Sequence, residues 1–286
     1  MDMIIVDPFL QSRIGMSDME NCNERNMPFL EQVRKNTPRW AYDIIQCWDD
    51  KTFRLAEDFV THSYWIYQGS INVFRIIGTI DQEYAGMSWL EFLEYGKWMD
   101  ANIALIEKNP LYYEPYSTPV GMNFISLDGI NWYVNTDGNH RSCLARFYFH
   151  LKGLDNSQLH NVSLNLFHVD WVFFNAYQKL QALLPSLHER GYHGQLHVRR
   201  TIVEREDQPG WKMDRFHTVA TLTLYVGKNA PDVQTFELKE GNEALHCLSF
   251  LEQQLSSASP TWGRDDHRME HEKLPWWRRF TGRKNQ

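Results

Sequence analysis

Between Pro28 and Tyr67 the apolar side chains Phe29, Val33, Trp40, Ile44, Ile45 and Trp48 recur at three- and four-residue intervals, interrupted at Pro38. Such spacing lines one helix face, so a helical N-terminal region is expected. Ser70 to Ile80 turns β-rich. Ser88 followed by Glu91 has the spacing of a capping box, and starts a helix that runs towards Asn109 and ends at Pro110.

Alternation of period two follows, in Asn123-Phe124-Ile125-Ser126-Leu127 and again in Asn131-Trp132-Tyr133-Val134-Asn135. Asp128-Gly129 between them predicts a hairpin. Ser142 to Leu151 reads as a helix closed by Gly153, and Val162 to Val172 as a further strand. Asn175 to Arg190 reads as a helix interrupted by Pro185. Val198 to Glu204, Thr218 to Val226 and Val233 to Leu238 read as antiparallel strands, with Asn242 to Leu255 as a closing helix. The expected class is α+β, in four parts: a helical region 1–86, a core 87–174, a small α+β lobe 175–255 and a polar tail 256–286.

Composition changes this picture little. The 286 residues are 43% hydrophobic and 23% charged, enough to bury a sizeable core. No run of about 18 apolar residues could span a bilayer, and the acidic start Met1-Asp2-Met3 lacks the pattern of a secretion signal, so a cytoplasmic protein is expected. With 29 basic against 36 acidic residues the net charge is −7, which provides no general field for a nucleic-acid backbone. Cys22, Cys47, Cys143 and Cys247 form no CxxC pair, which argues against a zinc knuckle or a disulfide framework.

The chemistry concentrates where the second hairpin strand meets the next helix, at Asp137-Gly138-Asn139-His140-Arg141-Ser142. A glycine there lets the chain turn with positive φ, and the first backbone N–H groups of the helix have no intrahelical acceptors. Those groups attract anions. Arg141 adds a planar fork suited to phosphate oxygens and His140 a titratable donor, while Asn139 and Ser142 add neutral hydrogen-bonding groups. Asp137 would repel phosphate unless it binds a metal, accepts a proton or holds Arg141.

At these residues the chain resembles the ParB/sulfiredoxin superfamily, whose members place a Gly-x-His-Arg turn between a strand and a helix. The Asp-Gly-x-His-Arg form looks most like its kinase-like, nuclease-like and plasmid-borne members. The order of elements from Met87 to Val172 is similar as well. The resemblance implies ATP or another NTP, with Mg²⁺, on Gly138 to Ser142, with His140 and Arg141 as the main ligands and Asp137 joining them in catalysis. Lys97 matches the family's lysine on the preceding helix, whereas Asp100 and Ala104 stand where its Ser and Thr are expected. Asn139 replaces the sulfiredoxin cysteine, which excludes sulfinic-acid repair, and no helix-turn-helix follows Val172, which disfavours a partition clamp. An NTP hydrolase or phosphotransferase is expected, with a metal-dependent DNA nuclease or a non-catalytic interaction module as alternatives.

Other groups carry weaker signals. Glu94, Asp100 and Glu107 could present a carboxylate to the motif. His188, His193 and His197, or His267 and His271, could approach a metal. Trp276-Trp277-Arg278-Arg279 could dock a partner protein.

Overall fold

A computed structural model describes residues 27–114, 121–153, 157–226 and 233–256. The Trp276–Arg279 tail, Cys22 and the His267/His271 pair lie outside them. The described residues form seven α-helices and nine strands, a mixed α/β protein. The chain divides into two compact units, one of residues 1–49 and 65–166, the other of 50–64 and 167–286. This boundary differs from the expected one at residue 86: the described residues 27–49 and 65–86 cluster with the motif.

The first unit contains helix α1 (Pro28–Lys35), strand β1 (Gln46–Cys47), most of β2 (Val60–Asn72), β3 (Ile76–Thr79), helices α3 (Trp89–Tyr95) and α4 (Met99–Lys108), strands β4 (Asn123–Ser126) and β5 (Trp132–Val134), helix α5 (Asn139–Lys152) and most of β6 (Gln158–Val169). Its strand order is β1-β3-β5-β4-β6-β2. The pairs β1/β3, β3/β5 and β4/β6 are parallel, while β4/β5 is the antiparallel hairpin expected from Asp128-Gly129. Asp128 closes that hairpin through Oδ1, which accepts from the backbone N–H groups of Ile130 (2.8 Å) and Asn131 (2.7 Å).

Residues 60–67, expected to continue a helix, form instead the first part of β2, where Val60, Ile66 and Tyr67 suit an extended strand. The helix expected from Ser88 to Asn109 is two. Its start is as expected: Ser88 Oγ accepts from Glu91 N–H and Glu91 accepts from Ser88 N–H. At Gly96-Lys97-Trp98 the helix breaks and restarts.

α5 is enclosed on all sides, with every residue from Ser142 to Phe149 buried. Leu144, Phe147 and Phe149 pack in one core with Phe124 and Val134 of the hairpin, Phe92 and Leu93 of α3 and Ile103 of α4. A helix held this way presents its first turn rigidly. α1 is fastened to the same group: Arg34 Nε pairs with Glu94 at 2.8 Å, and Glu107 Oε1 accepts from Phe29 N–H at 2.9 Å.

The second unit contains helix α2 (Asp50–Ala56), the start of β2, the end of β6, helix α6 (Trp171–Glu189), strands β7 (Tyr192–Gln208), β8 (Trp211–Val226) and β9 (Val233–Leu238), and helix α7 (Gly241–Ser256). β7/β8 and β8/β9 are antiparallel, as expected, with both hairpin strands longer than their alternating cores suggested. α6 runs unbroken through Pro185, which sits near its C-terminal end. The core joins Phe173, Leu180, Leu222, Leu224, Leu248 and Leu251.

Candidate functional site

Gly138 is the N-cap of α5, with φ +123°. Only glycine fits there without strain, and a Cβ would also lie 2.9 Å from Met122 Cγ. The turn is fixed from both sides, because Asn123 N–H donates to Asp137 O (3.0 Å) and Ser142 N–H donates to Gly138 O (2.7 Å).

Arg141 is the third residue of the helix, within its first turn. Its Nη2 reaches Asp137 Oδ2 at 2.6 Å and its Nη1 lies 3.5 Å from the Tyr112 hydroxyl, while Tyr113 donates its hydroxyl to Arg141 O at 2.9 Å. Burial pulls the guanidinium pKa down, but Tyr112 and Asp137 more than offset it, so Arg141 stays charged above its ordinary value. Burial pushes the Tyr113 phenol well up, so it remains a donor.

His140 Nε2 lies 2.6 Å from Lys97 O. A carbonyl only accepts, so Nε2 carries a proton. The ring is wedged against Tyr84 and Phe92, with centroids 5.4 and 5.3 Å away. The break between α3 and α4 is what turns the Lys97 carbonyl toward the motif. Lys97 itself is exposed.

Asn139 is half-buried in the first turn. Ser142 is fully buried with Oγ 4.0 Å from Met122 Sδ, so its hydroxyl is turned into the core. The turn therefore gathers Asp137, Gly138, Asn139, His140 and Arg141, with Lys97 beside it through its backbone.

Two of the three carboxylates considered beside the motif serve α1 instead: Glu94 holds Arg34 and Glu107 holds Phe29 N–H. Asp100 stays exposed in the first turn of α4. His188 and His193 meet edge to face at 4.6 Å, but among the described residues no three His, Cys, Asp or Glu side chains gather as a metal would require. Cys143 and Cys247 are buried free thiols, Cys247 pushed up to about 12 by burial, while Cys47 is exposed.

The N-terminus of α5 stands apart electrostatically. Among the described helices, α1, α2, α3, α4 and α7 carry an acidic residue in the first turn, and α6 is capped by Asp170. α5 has neither an acid in its first turn nor a side-chain cap. The positive dipole end of α5 therefore meets no acid of its own first turn, and the Arg141 guanidinium lies beside it.

Sequence reasoning did not find Tyr112, Tyr113 or Met122. The Tyr112-Tyr113 doublet stands in a turn after α4, where no periodicity reports which ring faces a neighbour. Arg146 was also missed. It is 5% exposed, with its guanidinium carbon 4.6 Å from the Trp40 ring centroid and 4.3 Å from that of Trp89. Nη1 donates to Ile76 O at 2.6 Å, and desolvation lowers its pKa to about 10.

Compared with known proteins, the chain matches no family model, no curated protein and no solved structure. No helix among the described residues is long and apolar enough to cross a membrane.

Proposed function

We propose that this chain is a ParB/sulfiredoxin-like nucleoside-triphosphate-binding protein that seats the phosphates on Gly138 to Arg141 and hydrolyses the nucleotide or transfers its terminal phosphoryl group. The observation that carries the reading is the N-terminus of α5, which has no side-chain cap and no acid within its first turn, with a charged Arg141 held beside it by Asp137 and Tyr112. The order of elements supports it: a helix capped at Asn109, a strand pair, the glycine turn, an apolar helix and then a strand are the order the resemblance implies.

The chemistry is positional and electrostatic. The N–H groups of Asn139 and Arg141 and the Arg141 guanidinium hold non-bridging oxygens and neutralise charge that grows on the transferring phosphoryl. His140, oriented by Lys97 O, adds positive charge at the turn when protonated. Asp137 holds Arg141 and is the one carboxylate of the turn that could take a proton from an attacking hydroxyl or water. Mg²⁺ commonly uses one or two carboxylates together with substrate phosphates, so Asp137 fits such an ion only with the nucleotide present. When bound, Mg²⁺ neutralises phosphate charge.

Calorimetric titration with ATP, GTP, CTP and UTP, with and without Mg²⁺, together with phosphate-release assays, tests this. Binding and turnover of at least one nucleotide is expected. Absence of binding to all four contradicts the proposal, and metal-dependent cleavage of DNA without nucleotide would move the same turn to phosphodiesters.

A further inference from the structure

Asn123 on β4, Asn135 just past β5 and Asn165 on β6 come together across three neighbouring strands of the first unit. Asparagine is a poor strand former. The three lie on the sheet face turned away from α5: Phe124, Trp132 and Val134 join the core that encloses that helix, whereas the intervening Ile125 and Tyr133, which are register partners, do not. Asn123 Oδ1 accepts from Asn135 Nδ2 at 3.2 Å and from Asn165 Nδ2 at 3.0 Å. The carbonyl ends of Asn135 and Asn165 and the amino end of Asn123 make no hydrogen bond to other described residues, and all three residues are half-buried. Across β5, β4 and β6 the row thus offers an acceptor, a donor and an acceptor. Turning all three amides over gives a donor, an acceptor and a donor, and a hydroxyl group answers either pattern because it both donates and accepts.

Beside the row stands Tyr133, two residues before Asn135. Its ring packs edge-on against Trp48, with centroids 5.3 Å apart, and its hydroxyl donates to Gln46 Oε1 at 3.2 Å. A ring tied in place thus flanks three amides whose free ends point to no partner of their own, and none of these side chains carries a charge. Neutral, oriented hydrogen-bonding groups next to an aromatic ring suit a neutral ligand rich in hydroxyls. We infer that Asn123, Asn135 and Asn165 form a binding site for a sugar ring, with neighbouring hydroxyls on the three amides and a C–H face of the ring against Tyr133. The site does not depend on phosphate at Gly138 to Arg141. A free saccharide and the ribose of a nucleoside present the same vicinal hydroxyls, and the experiment below separates them.

Nuclear magnetic resonance on the full chain tests this, by following the asparagine side-chain amide signals during titration with ribose, glucose, galactose, mannose, N-acetylglucosamine, adenosine and dideoxyadenosine. At least one hydroxyl-bearing probe should shift the signals of Asn123, Asn135 and Asn165, and dideoxyadenosine should not. A response to a monosaccharide assigns the site to free saccharides, and a response to adenosine alone assigns it to a nucleoside ribose. Asn123→Asp still accepts from Asn135 and Asn165 but loses the outward amino group, so it should fold and bind the same probe about ten-fold more weakly or worse. Tyr133→Phe keeps the ring and should bind as the wild type does. Absence of a response to every probe overturns the inference, and so does a response to dideoxyadenosine equal to that to adenosine. Wild-type affinity in folded Asn123→Asp overturns it as well, or in Asn165→Ala if Asn123→Asp does not fold.

Discussion

Asp137 Oδ2 and Arg141 Nη2 meet at 2.6 Å across a single turn, the carboxylate just before the glycine and the guanidinium just after it. The pair is partly exposed, with the side chains 40% and 22% accessible, and a pair of that kind contributes about 0–1 kcal/mol to stability. Its consequence is orientation. Tethered to Asp137 and adjacent to Tyr112, the Arg141 fork is aimed before any ligand arrives, which lowers the ordering cost of binding.

Asp137→Asn should therefore separate holding from catalysis. The amide oxygen can still accept from Arg141, and a negative charge is removed, so nucleotide affinity should stay within about three-fold. Turnover should fall by about 10² or more if Asp137 takes the proton. Calorimetry and phosphate release on the same variant measure the two effects, and unchanged turnover would remove Asp137 from the catalytic step.

Gly138→Ala introduces both a side chain at φ +123° and a contact with Met122. Urea denaturation should show a loss of about 2 kcal/mol or more. A cost below about 0.5 kcal/mol would mean that the turn relaxes easily and is not the rigid feature described above.

Arg146 holds the C=O of Ile76 while lying between two indoles. Truncation to Ala should cost about 3 kcal/mol, through lost packing and a stranded carbonyl. Lysine should recover less than half, since its ammonium cannot stack as a plane. Full recovery by Arg146→Lys in denaturant titrations would show that charge alone matters there.

His62, in the second unit, gives a pH test. Burial, followed by the charges of His168 and Arg215, lowers its pKa, while Glu204 raises it. With the folded value below the unfolded one of about 6.5, the unfolded chain binds the proton more readily. The stability this group contributes is present above about pH 6.5 and is lost as pH falls through the folded value. His62→Gln should flatten the fall in denaturation midpoint between pH 7.5 and 5.5 relative to wild type, and an identical slope in the two proteins would contradict it.

Much of the motif's surroundings was legible because local rules set them. Ser88 with Glu91, Asp128-Gly129 and Gly153 each act through their own backbone neighbourhood, and each marks the element boundary expected of it. The break at Lys97 was not legible. Gly96 is tolerated inside many helices, and what stops this one is packing against Phe92 and the hold of His140 on Lys97 O, both long-range or side-chain effects. β2 was misread because apolar spacing before Trp48 was extended across Asp50–Tyr64, where the chain enters the other unit. Ser142 shows the same limit at the site: adjacency to His140 and Arg141 suggested a ligand, but three residues past the helix start its side chain turns into the core.

The central claim is that Arg141 and the first turn of α5 bind nucleotide phosphate. Calorimetric titration of Arg141→Ala with the nucleotide the wild type binds best, beside circular dichroism to confirm the fold, measures this most directly. The predicted result is a folded variant with affinity reduced by about 100-fold or more, since a charge-assisted contact and its partner geometry are both lost. Wild-type affinity in a folded Arg141→Ala protein would contradict the account.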